Sequence, residues 1–280
     1  MGYEVEALHR SPAALALETA HDVAFHKGLG SARLALTNKY LTNKSITAYA
    51  KEVYNKGNIA VIASGAPDST LEKWITEFFS EVPAGTGLPT IPAKYYGGEN
   101  RIYSTHGDAL VIAFPGSPSF PSFKAEYYVL SYLLGGETAV KWNPGLSVLS
   151  QAVSDIPSVA AVAKHVAYTD AGLLYITITG PGSQLTEAGG KVVKAFKSLA
   201  TVKQEDLKKA IALAKFNALA AAEDRSAELE VVGQSVIASG KVPQVHDTVK
   251  AIEAVTPETI KAVGFHFIFP FLYFRLMRFI

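Results

Sequence analysis

The chain has 280 residues, of which 49% are hydrophobic, and its 26 basic and 25 acidic side chains leave a net charge of +1. This length and composition allow a sizeable core, in one large domain or two ordinary ones. The near-neutral charge without a basic stripe excludes a nucleic-acid-binding surface, and the absence of cysteine excludes disulfides, thiol nucleophiles and cysteine-ligated zinc.

The first ten residues, MGYEVEALHR, match no targeting pattern. They lack the apolar core of a signal peptide and the arginine-rich, acid-poor character of a transit peptide, and Glu6 does not fit the myristoylation pattern. No apolar run reaches the roughly 18 residues that span a bilayer. We therefore expect neither a targeting segment nor a membrane span in this sequence.

The residues before position 83 predict three helices and one strand. A helix over 11–27 has Ser11 as its N-cap and Pro12 in its first turn, and Gly28 ends it. A second helix covers about 45–56, and the apolar run NIAVIASG at 58–65 is typical of a buried strand. A third helix runs from Asp68 or Ser69 to 82. The side chains expected to face a core are Leu17, Ala20, Ala24, Ile46, Tyr49, Ala50, Val53, Leu71, Ile75, Phe78, Phe79 and Val82.

Residues 83–101 hold three prolines and four glycines without a helical period, which predicts a linker. The expected units are 1–82, the C-terminal part of a first domain, and 102–263, a second domain. Beyond the linker, the patterns predict strands at 108–114, 159–168 and 172–180 and helices at 122–134, 146–153, 183–199, 203–223, 226–239 and 243–254. The turn TDAG between the last two strands predicts an antiparallel hairpin.

The stretch LETAHDVAFHKG, residues 17–28, places two histidines among two acids on one predicted helix. His21 and His26 are five apart, so their rings diverge by about 140° around the helix axis and cannot share one zinc ion. Glu18 lies three residues before His21, and Asp22 four before His26. The spacing instead predicts two surface acid–histidine pairs.

A faint internal repeat links the two units. Leu17-Glu18 corresponds to Leu229-Glu230 and Gly28 to Gly240, an offset of 212, while TNKSITA at 42–48 resembles TPETIKA at 256–262, an offset of 214. This indicates a duplicated domain whose first copy begins part-way through. The tail at 264–280, GFHFIFPFLYFRLMRFI, is expected to replace the strand and helix that would complete the second copy.

The phrases LETAHDVAFHKGLG, AKYYGGENR, YVLSYLLGG, YTDAGLLYITITG and LKKAIALAKFNAL resemble the core subunit 2 family of mitochondrial ubiquinol-cytochrome c reductase, respiratory complex III, in its fungal form. This family lies within the pitrilysin-type metallopeptidase superfamily, and the resemblance covers about residues 4–263. It implies an α+β fold of two homologous domains, each a mainly antiparallel sheet covered by helices.

The resemblance also implies a function. It predicts a non-catalytic structural subunit on the matrix side of the mitochondrial inner membrane, peripheral to the bilayer. Its partners would be other complex III subunits, including core subunit 1, within a homodimeric complex, with no nucleic acid and no cofactor.

Active members of the superfamily carry H-x-x-E-H and a further downstream glutamate. This sequence has no H-x-x-E-H, and although Glu4 and Glu6 lie near the place of the downstream glutamate, an isolated carboxylate cannot hold zinc. We therefore predict no catalytic, metal-binding or cofactor-binding residue.

Two further features have ordinary structural interpretations. The loop at 133–147, with Gly135, Gly136 and Gly145, lies where some members have a substrate-facing segment, but a helix-ending loop is favoured. The scattered histidines His106, His165 and His246 are expected to be hydrogen-bonded structural residues.

Two other functions stay open. The chain could be a processing-peptidase-like subunit that binds presequences, or a pitrilysin-type zinc peptidase whose zinc-binding half lies elsewhere. A third, weaker hypothesis is that the aromatic tail anchors the protein to a membrane surface, with Arg275 and Arg278 facing the headgroups.

Overall fold

The computed structural model describes residues 2–34, 41–89, 91–119, 122–136, 146–199 and 202–264. Its helices are α1 Gly2–His9, α2 Pro12–Phe25, α3 Asn43–Val53, α4 Asp68–Phe79, α5 Ala125–Leu134, α6 Val148–Ala152, α7 Gly182–Ser198, α8 Gln204–Glu223, α9 Arg225–Ser239, α10 Val245–Glu253 and α11, residues 257–264. Its strands are β1 Ala109–Pro115, β2 Ala160–Ala167 and β3 Gly172–Thr179. Gly145 and residues 265–280 of the predicted tail lie outside the described residues.

The three strands form one antiparallel sheet in the order β1-β3-β2. Ile176 of β3 lies opposite Ile112 of β1 and Ala163 of β2, so β3 is the central strand. The hairpin of β2 and β3 confirms the prediction from TDAG, and the mixture of helices with an antiparallel sheet confirms the α+β class.

Both faces of the central strand are covered. Leu174, Ile176 and Ile178 point into the main core, which also contains buried residues of α5, α7 and α8. Leu173, at the start of the strand, belongs to a smaller cluster with Phe25 of α2. Because successive strand residues face opposite sides, this alternation places a helical layer on one face and α2 on the other.

The prediction of a strand at 58–65 is wrong. Residues 59–63 have no regular secondary structure, and Val61 is 39% exposed. A continuous apolar run is typical of a strand between two others, but a strand exists only where a neighbour completes its backbone hydrogen bonds. Ile62 instead lies beside Gly233 of α9.

The faces of α3 and α4 that were predicted to be buried are largely exposed. The exposed residues on these faces are Ile46 and Tyr49 of α3 and Ile75 and Phe78 of α4. Neither helix contains a buried residue. Their periodic pattern correctly predicts helices, but within the described part of the chain nothing covers their apolar sides.

The internal repeat has matching backbone features. Ser45 N–H donates to Thr42 Oγ1 at 3.1 Å at the start of α3, and Thr259 N–H donates to Thr256 Oγ1 at 3.3 Å at the start of α11. Each cap is reciprocal, since Thr42 N–H and Thr256 N–H donate back to the partner hydroxyl. The same N-terminal cap therefore begins both helices, 214 residues apart.

The predicted linker is attached at both of its ends. Lys56 N–H donates to the Pro83 carbonyl at 3.0 Å, and Leu88 N–H donates to Asn58 Oδ1 at 2.8 Å. A Cβ on Gly57 would lie 2.5 Å from the Gly85 carbonyl oxygen, so only glycine permits this approach. At the other end, Tyr96 N–H donates to the Ala24 carbonyl at 2.7 Å.

We expect limited proteolysis to cut first between Leu88 and Ala93. Ile91 lies between the two attached ends and is 91% exposed, and local unfolding there breaks few contacts. A brief subtilisin digest followed by intact-mass measurement would locate the cut. A first cut within 93–98, or between 108 and 180, would show that this segment is not the weak point.

Candidate functional site: the junction of α2 and the sheet

Helix α2 lies on the sheet through two buried residues near its C-terminus. Ala24 and Phe25 are each 2% exposed, and the Phe25 ring meets the Tyr95 ring edge-on with centroids 6.1 Å apart. Tyr95 also donates from its hydroxyl to the Ala113 carbonyl of β1 at 3.3 Å. Residues from the first predicted unit, the linker and the second unit thus share one apolar cluster.

His21 forms a hydrogen bond with Tyr168, in the turn between β2 and β3, and not with Glu18. Its Nδ1 lies 2.8 Å from the Leu17 carbonyl, which can only accept, so Nδ1 carries the proton. Its Nε2 lies 2.7 Å from the Tyr168 hydroxyl and therefore accepts from it when the ring is neutral. Glu18 and His21 interact through charge, but they form no hydrogen bond, because the Glu18 carboxylate binds another donor.

That donor is Arg33. Its backbone N–H donates to Glu18 Oε1 at 2.7 Å and its Nε donates to Oε2 at 3.0 Å. Burial alone would raise the pKa of Glu18, but the hydrogen bonds and charge of Arg33 outweigh burial, so the pKa of this carboxyl is lowered.

The predicted Asp22–His26 side-chain pair is wrong. His26 has a φ of 59° and its backbone N–H donates to the Asp22 carbonyl, which ends α2. This left-handed conformation turns the His26 ring onto Tyr96, with ring centroids 4.7 Å apart. Backbone geometry at the helix end therefore decides where the ring lies.

Among the described residues, no group of three or more histidine, cysteine, aspartate or glutamate side chains is placed to hold a metal ion. Glu4 and Glu6 lie exposed on α1, and Glu6 forms an ion pair with Arg10 at 2.6 Å. No helix in these same ranges is long and apolar enough to cross a membrane.

His165 of β2 is a structural residue. Its Nε2 accepts a hydrogen bond from Ser117 N–H at 3.0 Å. Burial lowers the pKa of His165 from 6.5 to about 4, so the ring is neutral near pH 7. His106 and His246 are exposed, and the His106 backbone N–H donates to Ser104 Oγ at 3.2 Å.

We expect the free energy of unfolding to fall as the pH is lowered from 6.5 to 4, by at most about 3 kcal/mol from His165 alone. In this window the unfolded ring binds a proton that the folded ring does not, so protonation favours unfolding. His165→Gln keeps an acceptor near the position of Nε2 for Ser117 N–H but cannot titrate.

Urea titrations of both proteins at several pH values measure this effect. Carboxyls with a lowered pKa, such as Glu18, contribute equally to both proteins, so the difference isolates His165. Equal pH slopes for the wild type and the variant would contradict the assignment.

The loop after α5 supports β2. Gly135, with a φ of 60°, ends α5, and its carbonyl accepts from Ala163 N–H at 2.9 Å. A Cβ on Gly136 would collide with the Ala161 carbonyl oxygen. These glycines therefore end a helix and let the loop approach the outer edge of β2.

A groove of about 520 Å³ runs beside β1. Its walls include Ala16 and Ala20 of α2 on one side and Leu185 of α7 on the other, with Val111 of β1 between them. Residues 97–102 complete the wall. The groove therefore lies between α2, β1 and the segment that follows the linker.

The sequence of this chain matches the family described as Peptidase M16 inactive domain over residues 40–213. The match covers more than half of the chain, and the chain belongs to this family. The predicted membership of the pitrilysin-type superfamily is confirmed.

Within the family, the chain is similar to cytochrome b-c1 complex subunit 2, mitochondrial, of fungi. It is 46% identical to the *Neurospora crassa* protein over 260 residues, which are 90% of this chain and 57% of that protein. It is 36% identical to the *Cryptococcus neoformans* protein over 241 residues, 83% of this chain and 55% of that protein. The predicted resemblance to core subunit 2 is confirmed, and the chain spans a little over half the length of these relatives.

Two other comparisons mark the range of the similarity. The chain is 26% identical to mitochondrial-processing peptidase subunit alpha-2 of *Dictyostelium discoideum* over 271 residues, 93% of this chain and 60% of that protein. It superposes with a TM-score of 0.81 and 17% identity on a chain of complex III2 from *Candida albicans*, Inz-5 bound, covering 94% of this chain and 65% of that one. The structural match shows the shared fold.

Sequence reasoning missed the residues that hold α2 in place. Tyr168 lies 147 positions after His21 and Tyr95 lies in the predicted linker, so no local period connects them to α2. In the structure Ala93, Tyr95 and Gly97 are less exposed than their neighbours, but the residues AKYYGG at 93–98 do not alternate in hydropathy, so the sequence contained no signal of this buried side.

Proposed function

We propose that this chain is a non-catalytic structural subunit of the mitochondrial cytochrome b-c1 complex. The observation that carries the proposal is the 46% identity to subunit 2 of *Neurospora crassa* across 90% of the chain. The match to a family described as an inactive peptidase domain supports a role in assembly over one in peptide hydrolysis.

The proposed location is the matrix side of the inner membrane, with other subunits of the complex, including core subunit 1, as partners within a homodimeric complex. The relatives that support this are named as mitochondrial subunits of that complex. The large exposed side chains of α3, α4 and α8 provide apolar surface that a stable assembly could bury.

The proposed domain organisation is that residues 1–82 are the C-terminal part of a first domain and 102–263 form most of a second, joined by 83–101. The repeat supports an arrangement in which each domain contributes one helix that covers the sheet of the other domain. At an offset of 212, Phe25 of α2 corresponds to Ile237 of α9, which is 69% exposed. Since α2 covers the sheet of the second domain, we infer that α9 covers the sheet of the first.

The test is co-purification. A tagged chain, joined to the N-terminal part of the Neurospora crassa subunit that the match does not cover, would be expressed in mitochondria that lack the native subunit. We expect affinity capture to recover the other subunits of the complex. An Ile178→Asp version, which disrupts the core, is the matched control, and recovery of no other subunit with either version would contradict the proposal.

A second function has one observation in its favour, the 26% identity to a processing-peptidase alpha subunit. On this hypothesis the chain binds presequences for a catalytic partner. Saturable binding of a labelled presequence peptide, together with capture of a processing-peptidase subunit in place of complex subunits, would support it.

A further inference from the structure

The turn between β2 and β3, residues 168–171, lies where three parts of the chain meet. Ala171 of this turn belongs to the same small apolar cluster as Phe25 of α2 and Tyr95 of the linker. Tyr95 is part of residues 93–98, which form the linker end. The turn therefore lies against both α2 and the linker end.

The backbone of the turn is fixed in place. Tyr168 N–H donates to the Ala171 carbonyl at 2.7 Å, and the Tyr168 carbonyl accepts from Ser119 N–H at 2.7 Å. A Cβ on Gly172, the first residue of β3, would lie 2.1 Å from the Ser117 carbonyl oxygen, so the segment after β1 packs closely on the turn. Because these contacts connect the turn to the sheet, its side chains start from a fixed backbone.

One side chain of the turn contacts α2. The Tyr168 hydroxyl donates to His21 Nε2 at 2.7 Å, and the two rings meet edge-on with centroids 5.9 Å apart. Burial raises the pKa of Tyr168 above its ordinary value of 10, so the hydroxyl keeps its proton and can donate near pH 7. His21 thus connects α2 to the sheet one helical turn before Phe25.

A second side chain of the turn contacts the linker end. Asp170 Oδ2 accepts from Ala93 N–H at 2.6 Å. Aspartate is common in turns partly because it tolerates a positive φ, but the φ of Asp170 is not positive, so the turn does not need aspartate for that reason. A carboxylate is a stronger acceptor for a backbone N–H than a neutral oxygen. The Asp170 carboxylate therefore has a specific role, which is to hold Ala93.

The two segments that the turn contacts are also bonded to each other. Tyr96 N–H donates to the Ala24 carbonyl at 2.7 Å, and the rings of Tyr95 and Phe25 are in contact. Ala24 and Phe25 are buried. Separating α2 from the linker end would break these contacts, so the two segments are expected to leave the sheet together.

We propose that the β2–β3 turn is a latch with two contact points, Tyr168 for α2 and Asp170 for the linker end, and that these two segments dock on the sheet and leave it as one cooperative unit. Tyr168 and Asp170 are positioning residues, since each contact stabilises the segment that the other one touches. All these contacts lie within one chain, so the latch sets the position of α2 without a partner subunit. The proposal does not depend on the role in the cytochrome b-c1 complex.

Hydrogen–deuterium exchange of the full chain, measured for residues 12–25 and for 93–98, tests the latch. Asp170→Ala removes the acceptor of Ala93 N–H. We expect exchange to become about tenfold faster in both segments, by the same factor, although the lost bond is to the linker end alone. Asp170→Asn keeps an amide oxygen as the acceptor and should restore most of the protection.

A second variant removes the other contact point. Tyr168→Phe keeps the ring beside His21 and removes the hydroxyl. Exchange should become about threefold faster or more, again by the same factor in both segments. Thr169→Ala, which changes the exposed residue between the two contact points, should exchange like the wild type.

Exchange in residues 172–179 verifies that the hairpin stays folded, and Tyr168→Phe decides the question if Asp170→Ala loosens the hairpin. Faster exchange confined to 93–98 for Asp170→Ala, or to 12–25 for Tyr168→Phe, would overturn the proposal, because the two segments would then be attached independently. Unchanged exchange in both segments, or equal effects of Asp170→Asn and Asp170→Ala, would also overturn it.

Discussion

Replacing Ile178 by aspartate is expected to prevent the chain from folding. Ile178 is fully buried in the central strand, and its side chain points into the main core with Leu174 and Ile176. The substitution removes a large apolar side chain and buries a carboxylate without a partner, which together cost at least about 5 kcal/mol. This is comparable to the whole stability of an ordinary domain, about 5–15 kcal/mol.

Thr177→Ser is the matched control, because Thr177 neighbours Ile178 but points to the opposite, half-buried face of the strand. Thermal unfolding followed by circular dichroism should show a cooperative transition for the wild type and the control and none for Ile178→Asp. A cooperative transition for Ile178→Asp within a few degrees of the wild type would show that β3 is not the centre of the core.

Truncating Phe25 to alanine is expected to destabilise the docking of α2 by about 3–5 kcal/mol, the usual cost of removing a buried phenylalanine side chain. Phe25 connects α2 to Leu173 of β3 and to Tyr95 of the linker. Its loss should free α2 and residues 93–98 while the β2–β3 hairpin, which belongs mainly to the other core, stays folded.

Hydrogen–deuterium exchange distinguishes this local effect from global unfolding. In Phe25→Ala, amides of residues 12–25 should exchange much faster and those of 172–179 should not. Asp22→Ala, on the exposed side of the same helix, should exchange like the wild type. Equally faster exchange in residues 12–25, 93–98 and 172–179 would contradict an independently docked α2.

Much of the fold could be predicted because its signals are local. The turn residues TDAG predicted the hairpin of β2 and β3. Ser11 caps α2 as expected, because its hydroxyl oxygen accepts a hydrogen bond from Ala14 N–H. The strand predicted at 58–65 failed for a physical reason. Apolar character favours burial, whereas a strand also needs a neighbouring edge, and sequence alone does not show whether that edge is present.

The contacts of α2 could not be predicted because they join distant parts of the chain. Glu18 is three residues from His21, yet it binds Arg33, which has a longer and permanently charged side chain. His21 instead reaches Tyr168, at the end of β2. Helical spacing shows which side chains can meet on one helix but not which partners another element brings closer. The family could be predicted from short sequence segments spread along the chain, and the comparisons with known proteins confirm that family.

The most direct test of the central claim is to measure whether this chain occupies the position of subunit 2 in an isolated cytochrome b-c1 complex. Residues 4–263 would replace the matching part of the *Neurospora crassa* subunit in cells without the native protein, followed by native electrophoresis and quantitative mass spectrometry of the complex band. We predict that the chimera is present in that band in equal amount to its neighbouring subunits. A folded chimera that accumulates in mitochondria but is absent from the band would contradict the account.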